Sequence, residues 1–355
     1  MRRPVQGRLV AKVGSSSLVD AAGVLNEDAV ERTARAVAEV WRAGHPTTLV
    51  SSGAVASGLS ALGLNERPSD IPGLQVAAAV GQGRLMHLYT RAFDEQGLIA
   101  GQVLLTRDVL ANREQYLHAR QSLDRMLTEG IVPVVNENDT VVVDELRLGD
   151  NDRLAAIVSH VVGASLMVIL TDTAGLFDSD PRRGEASFLD AVDHTDQRLD
   201  DLAGSGPFGS GGAASKVGAA RMAAWSGIPT VVAGAGTSLV EIVHGFELGT
   251  WVEPRPAPLA ARKLWIAFCQ PVLGAVTVDV GAENALVHSG TSLLPVGVVS
   301  VEGEFRPGDA VDVRGQSGRL IGRGLVRVSG HELREAAGQR GAGEAIHRDD
   351  LAVFV

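Results

Sequence analysis

Apolar residues follow two rhythms along this chain, and the rhythm changes near residue 253. Before that point, short apolar runs alternate with stretches whose apolar positions recur at helical spacing. Arg8 to Val13 reads as a strand ending in Gly14 and three serines. Asn26 is a plausible N-cap for a helix over Glu27 to Ala43, which Gly44-His45-Pro46 ends. Thr47 to Val50 reads as the next strand, followed by Ser51-Ser52-Gly53-Ala54 and another helix. Leu74 to Phe93 predicts a long helix with little charge in its first half, suited to the core or to another subunit. Leu98 to Leu105 and Ile131 to Val135 read as strands around an amphipathic helix, Asn112 to Leu127. An apolar segment, Leu154 to Val162, leads into a buried-type strand, Leu166 to Leu170. Ala213 to Trp225 predicts a helix, Thr230 to Val232 a strand, and Val240 to Gly245 a last short helix. Strand, small-residue loop, helix, repeated in this way, predicts an α/β fold with a parallel sheet. Asp190 to Gly212 is polar and glycine-rich, and reads as a mobile lid.

The proline-rich joint Glu253-Pro254-Arg255-Pro256-Ala257-Pro258 reads as a semi-rigid linker over about 253 to 270. Beyond it, short alternating runs (Ala275 to Val280, Val296 to Val301, Ala310 to Val313, Leu320 to Val328) are separated by Gly and Asp turns. They predict a small β-rich domain or barrel. A length of 355 residues agrees with two domains.

Composition narrows the class. The chain is 45% hydrophobic and 21% charged, an ordinary soluble composition. A net charge of -10 argues against general affinity for nucleic acid or anionic membranes. No apolar run reaches the ~18 residues of a membrane-spanning helix. The N-terminus runs into a strand without a signal-peptide core, and Cys269 is the single cysteine. Together they predict a cytoplasmic protein. Of the 32 basic residues only Lys12, Lys216 and Lys263 are lysines. Where arginine supplies nearly all the positive charge, a retained lysine marks a place that needs a compact ammonium. Lys12 precedes Val13-Gly14-Ser15-Ser16-Ser17, and Lys216 closes Gly209-Ser210-Gly211-Gly212-Ala213-Ala214-Ser215. Both neighbourhoods suit a phosphate.

Two clusters of carboxylates and carboxamides stand in loops around predicted strand ends: Asn136-Glu137-Asn138-Asp139 and Gly149-Asp150-Asn151-Asp152. Thr171-Asp172 follows at the next strand end. In an open α/β sheet, ligands bind at the carboxyl ends of the strands. Turn-forming alone would explain one such cluster, but not all three together. Gly204-Ser205-Gly206-Pro207-Phe208-Gly209 has the letters of a dinucleotide fingerprint, but it follows an acidic helix-like stretch and contains Pro207. The loop ending in Lys216 lacks Walker A spacing. Histidines are scattered, without zinc spacing. What remains suits phosphoryl transfer: positive charge for the transferring group, Mg²⁺ across the phosphates, and alignment of the acceptor. A lysine on each side would neutralise the charge that develops, with an aspartate between them to hold both.

Val10-Ala11-Lys12-Val13-Gly14-Ser15-Ser16, Ser51-Ser52-Gly53-Ala54-Val55-Ala56, the two acidic-amide clusters and Thr171-Asp172-Thr173-Ala174-Gly175-Leu176 closely resemble the amino acid kinase family. The likeness is to its members that phosphorylate free glutamate. Residues 1 to about 252 look like the kinase domain. Residues 271 to 355, with Ser292-Leu293-Leu294-Pro295-Val296-Gly297-Val298, resemble a PUA domain. The resemblance implies a three-layer sandwich with a mostly parallel central sheet, followed by a small β-rich PUA-like barrel. It implies that Lys12 and Lys216 contact ATP phosphates and that Asp150 organises the two lysines. It places Thr171, Asp172 and the loop Ser210, Gly211, Gly212, Ala213, Ala214, Ser215, Lys216 at the nucleotide, and gives Ser52, Asp139 and Asn151 to glutamate. The implied reaction joins the glutamate γ-carboxylate to the γ-phosphate of MgATP, the first step towards proline. Family members are often inhibited by proline and often form dimers or tetramers. Ala213-Ala214 departs from the family's usual Met in that loop, and Arg147 stands where lysine is common.

Four readings compete with this one. N-acetylglutamate, aspartate or a nucleoside monophosphate could be the acceptor instead. A regulatory RNA-binding role through the second domain is the fourth reading. Residues 271 to 355 hold eight arginines, no lysine and eleven acidic residues, a charge of -3 that disfavours backbone binding to RNA.

Overall fold

The computed structural model describes residues 2–20, 23–64, 66–141, 151–179, 181, 184–203, 212–341 and 343–354. Two compact units divide after Pro256. In the first, the strands are β1 (Leu9–Val13), β2 (Thr47–Ser51), β3 (Ile99–Leu105), β4 (Ile131–Glu137), β5 (Leu166–Thr171), β6 (Ala191–Asp193), β7 (Thr230–Gly234) and β8 (Thr250–Glu253). They form a sheet in the order β3-β4-β2-β1-β5-β7-β8-β6, parallel except where β7 meets β8. Val13 aligns with Ser51 on one side and with Leu170 on the other. The carboxyl ends of β1, β2 and β5 therefore reach one edge together, with β4 alongside.

β1 is buried along its whole length, as a strand covered on both faces must be. Its side chains alternate between two layers. Leu9, Ala11 and Val13 join a core with Val30 and Val37 of the helix Glu27–Arg42 and with Tyr89 and Phe93 of the helix Ile71–Asp94. Lys12 faces the other layer, where it meets the helix Asn151–Val162. This is the three-layer sandwich expected from the resemblance.

Capping explains where the helices begin. Asn26 accepts from Ala29 N, as its position predicts, and Asn112 caps Arg113–Thr128 in the same way. The long helix starts three residues before Leu74, because Asp70 caps it and Pro72 occupies its first turn. It lies against the helix Ala54–Leu62 at backbone distance. A Cβ on Gly58 would strike the carbonyl of Ala77, and one on Gly81 the carbonyl of Ala54.

Several expectations need correction. The segment 253–270 is not a spacer. Glu253 ends β8, and Ala261–Cys269 is a helix whose Leu264, Ile266, Ala267 and Phe268 are buried in the second unit. Its apolar positions, not the preceding prolines, decide its structure. The stretch 190–212, read from sequence as a lid, contains β6 and the helix Gln197–Ala203, while 204–211, including the fingerprint-like glycines, lie outside the described residues. The helix expected from Leu154 begins at Asn151.

The second unit carries β9 (Val272–Val278), β10 (Val298–Gly303), β11 (Ala310–Gly315), β12 (Leu320–Val326) and β13 (Ile346–Val353) in the order β10-β9-β11-β12-β13. Its core joins Val276, Val311, Val313, Ile321 and Leu351. The helices Val280–Ser289 and Gly330–Ala336, absent from the strand-only expectation, belong to it. Ser329 and Glu332 make a capping box for the second of these.

Gly81→Ala is expected to lower stability by about 1–3 kcal/mol, the cost of forcing atoms into a close contact. Urea unfolding measures it. His160 supplies a pH dependence. Burial, with Arg120 and Arg113 nearby, pushes its pKa down from 6.5 to about 4. Between those values the unfolded chain binds a proton that the folded chain refuses, so stability should fall as pH drops from 6.5 towards 4. His160→Gln is expected to remove that component, seen as a flatter profile of unfolding free energy against pH.

Candidate active site

A lysine inside a fully buried strand needs a counter-charge. Lys12 finds it in Asp152, with Nζ 2.6 Å from Oδ1. Lys12 is 5% exposed and Asp152 not at all. The other carboxylate oxygen, Oδ2, accepts from Ser215 Oγ at 2.6 Å and lies 3.6 Å from Lys216 Nζ. Lys216 Nζ also donates to Gly212 O at 3.3 Å. Asp152 comes from the first turn of the helix Asn151–Val162, and Ser215 and Lys216 from the first turns of the helix Gly212–Trp225. These two helices pack together. Burial pushes the Asp152 pKa up, but the charges of Lys12 and Lys216 and the hydrogen bonds from Lys12 and Ser215 outweigh it. The carboxyl is held below its ordinary range and stays ionised.

One residue earlier, Asn151 turns to the neighbouring strands. Its Nδ2 lies 3.0 Å from Ser51 O, 2.8 Å from Ser52 Oγ and 2.8 Å from Asn136 Oδ1. Ser51 Oγ in turn meets the buried Tyr89 hydroxyl at 2.8 Å. Asn136, the penultimate residue of β4, donates from Nδ2 to Gln82 Oε1 at 2.9 Å. A cleft of about 520 Å³ is lined by Thr171, Asp172, Gly175, Phe177, Gly212 and Lys216, among others. Thr171 Oγ1 donates to Asp172 Oδ1 at 3.1 Å.

The residues singled out from sequence are thus brought together in large part. Lys12 and Lys216 share one carboxylate, and Ser52 and Asn151 share a hydrogen bond. Thr171, Asp172, Gly212, Ala213 and Lys216 line one cleft. Ala214 sits half-buried in the same helix, and Asp139 half-buried just beyond β4. Asp150, Arg147, Ser210 and Gly211 lie outside the described residues. The carboxylate that joins the lysines is Asp152, which the sequence reading passed over in favour of Asp150. The two stand on either side of Asn151, and the sequence alone does not distinguish them. Asn136 and Gln82 were also missed. Asn136 counted only as one letter of a motif, and Gln82 was hidden inside an otherwise apolar helix.

Comparison with known proteins gives the family. Residues 7–234 match the amino acid kinase family, and residues 274–348 the PUA domain. The chain belongs to the amino acid kinase family. Glutamate 5-kinase of Moorella thermoacetica is 42% identical over 98% of this chain and 96% of its own length. The glutamate 5-kinases of Frankia casuarinae and Streptomyces coelicolor are each 43% identical over 98% of this chain, covering 97% and 96% of those proteins. Among solved structures, carbamate kinase from Giardia lamblia bound to AMP-PNP shares the fold, with a TM-score of 0.53 at 17% identity. The match covers 70% of this chain and 98% of that one.

Asp152→Asn should leave the buried Lys12 without its counter-charge, and removing one partner of a buried pair costs about 3–5 kcal/mol. Thermal unfolding without nucleotide reads this. Lys216→Ala is expected to lower turnover about 10²–10³-fold. Lys216→Arg, which keeps the charge, should recover little of it, because the planar fork does not fit a compact ammonium site. Near-normal turnover of Lys216→Arg contradicts that expectation.

Proposed function

We infer that this chain transfers the γ-phosphoryl group of ATP to the γ-carboxylate of L-glutamate, giving L-glutamyl 5-phosphate, the first step of proline biosynthesis. The observation that carries this reading is the shared Asp152 carboxylate, which orients two ammonium groups beside the polar row Asn136–Asn151–Ser52. The names of the similar proteins support the choice of glutamate.

In this reading Lys12 and Lys216 sit at the phosphates, with Thr171, Asp172 and the loop 210–216 around the nucleotide. Asp152 takes the organising role first given to Asp150. Ser52, Asp139 and Asn151 hold the acceptor. A carboxylate oxygen attacks the γ-phosphorus, one P–O bond forms, and the bond to the β–γ bridging oxygen breaks, releasing ADP. The acceptor is already ionised at neutral pH, so no general base is required. Negative charge spreads over the phosphoryl and leaving oxygens during transfer, and the two ammonium groups neutralise it. Asp172, exposed at the cleft, would be the carboxylate to hold Mg²⁺, and the ion would supply further charge neutralisation for the phosphates.

The chain forms a homo-oligomer through its first unit, and proline acts as feedback inhibitor. An apolar surface supports self-association. Val76 is 54% and Ile99 64% exposed, and Leu62, Leu64 and Val80 are exposed as well. Ile99 lies on β3, an edge strand of the sheet. Among the described residues no helix is long and apolar enough to cross a membrane, and the same reading gives the chain a cytoplasmic site of action.

Acyl phosphate trapped with hydroxylamine tests the reaction, with ATP, Mg²⁺ and glutamate, aspartate or N-acetylglutamate in parallel. Product with glutamate alone is expected, and its suppression by added proline is the next measurement. Product with only one of the other acceptors would transfer the reading to that acceptor.

A further inference from the structure

We infer that Gln82 is a further acceptor-binding residue, whose Nε2 donates to the carboxylate at the non-reacting end of the amino acid. This rests on the glutamate-phosphorylating reading above. Two backbone groups fix the polarity of the side chains that lead to it. Ser51 O only accepts, so the Asn151 atom 3.0 Å away is the amide nitrogen. The Glu137 N–H only donates, so the Asn136 atom 2.9 Å away is the amide oxygen. Asn151 Nδ2 donates to that same oxygen at 2.8 Å. Asn136 must then present its nitrogen on its other side, where it donates to Gln82 Oε1 at 2.9 Å.

Gln82 thus spends its acceptor on the relay and turns its two N–H donors away from it. Among the described residues these donors have no partner, and the side chain is half-buried. The place in the sheet assigns the ligand. Lys12 is on β1, and Asn136 is the penultimate residue of β4, two strands away in the order β4-β2-β1. An amino acid whose reactive carboxylate meets Lys12 extends its other end along the relay, towards Gln82. The glycine contacts of Gly58 and Gly81, next to Gln82 in sequence, hold this helix in register with the one that follows Ser52.

Steady-state kinetics of Gln82→Glu and Gln82→Met, with L-glutamate and with its α-amide isoglutamine, test the inference. Gln82→Glu keeps an oxygen for Asn136, so the relay retains its polarity while the donors become a negative charge. The KM for glutamate is expected to rise about tenfold or more, with the KM for ATP and the melting temperature unchanged. Relative kcat/KM should shift towards isoglutamine, whose amide donates to the new carboxylate. Gln82→Met has neither donor nor charge. It should raise the glutamate KM without favouring isoglutamine, and it decides the matter if the Glu variant does not fold. A glutamate KM within about twofold of wild type in a folded variant overturns the inference, as does an equal rise in the KM for ATP. If wild-type protein makes no acyl phosphate from glutamate, the acceptor reading itself fails, before any variant is compared.

Discussion

The rest of the site depends on one buried carboxylate. Asp152 carries the counter-charge that lets Lys12 lie inside the sheet, and it draws Lys216 and Ser215 from a second helix to the same point. An unpaired ammonium in that position would cost several kcal/mol. The pairing therefore couples three elements at one point: strand β1, the helix from Asn151 and the helix from Gly212. The same carboxylate gathers two ammonium groups, one of which, Lys216, lines the cleft, and paired positive charge is the electrostatic need of phosphoryl transfer.

Asn151 and Asp152 split the work at the start of one helix. Asp152 turns towards β1 and the lysines, while Asn151 turns across β2 towards β4. The neighbouring chemistry then has two directions, a charged end built around ammonium groups and a neutral end built from amides and hydroxyls. Neutral amides have fixed donor and acceptor faces, so each hydrogen bond constrains the next. Positioning at the neutral end is set by packing as well. Backbone contact through Gly58 and Gly81 leaves no room for the long helix to slide, and Tyr89 ties it to Ser51.

The sequence by itself determined the alternation of strands and helices in the first unit, because a strand buried on both faces is continuously apolar and a helix repeats every 3.6 residues. It also determined the phosphoryl-transfer character, since three lysines among 32 basic residues drew attention to Lys12 and Lys216. Short edge strands such as Ala191–Asp193 left no such pattern. Proline-rich residues hid the helix Ala261–Cys269, whose apolar face gains meaning only from the sheet it covers. What the tertiary structure decided was which side chains meet. Asp150 and Asp152 are equivalent as letters around Asn151, and the fold puts Asp152 against Lys12. Gln82 joined the site for the same reason: hydrogen-bond polarity is inherited from backbone groups 31 and 55 residues away in sequence, and sequence spacing carries no record of it.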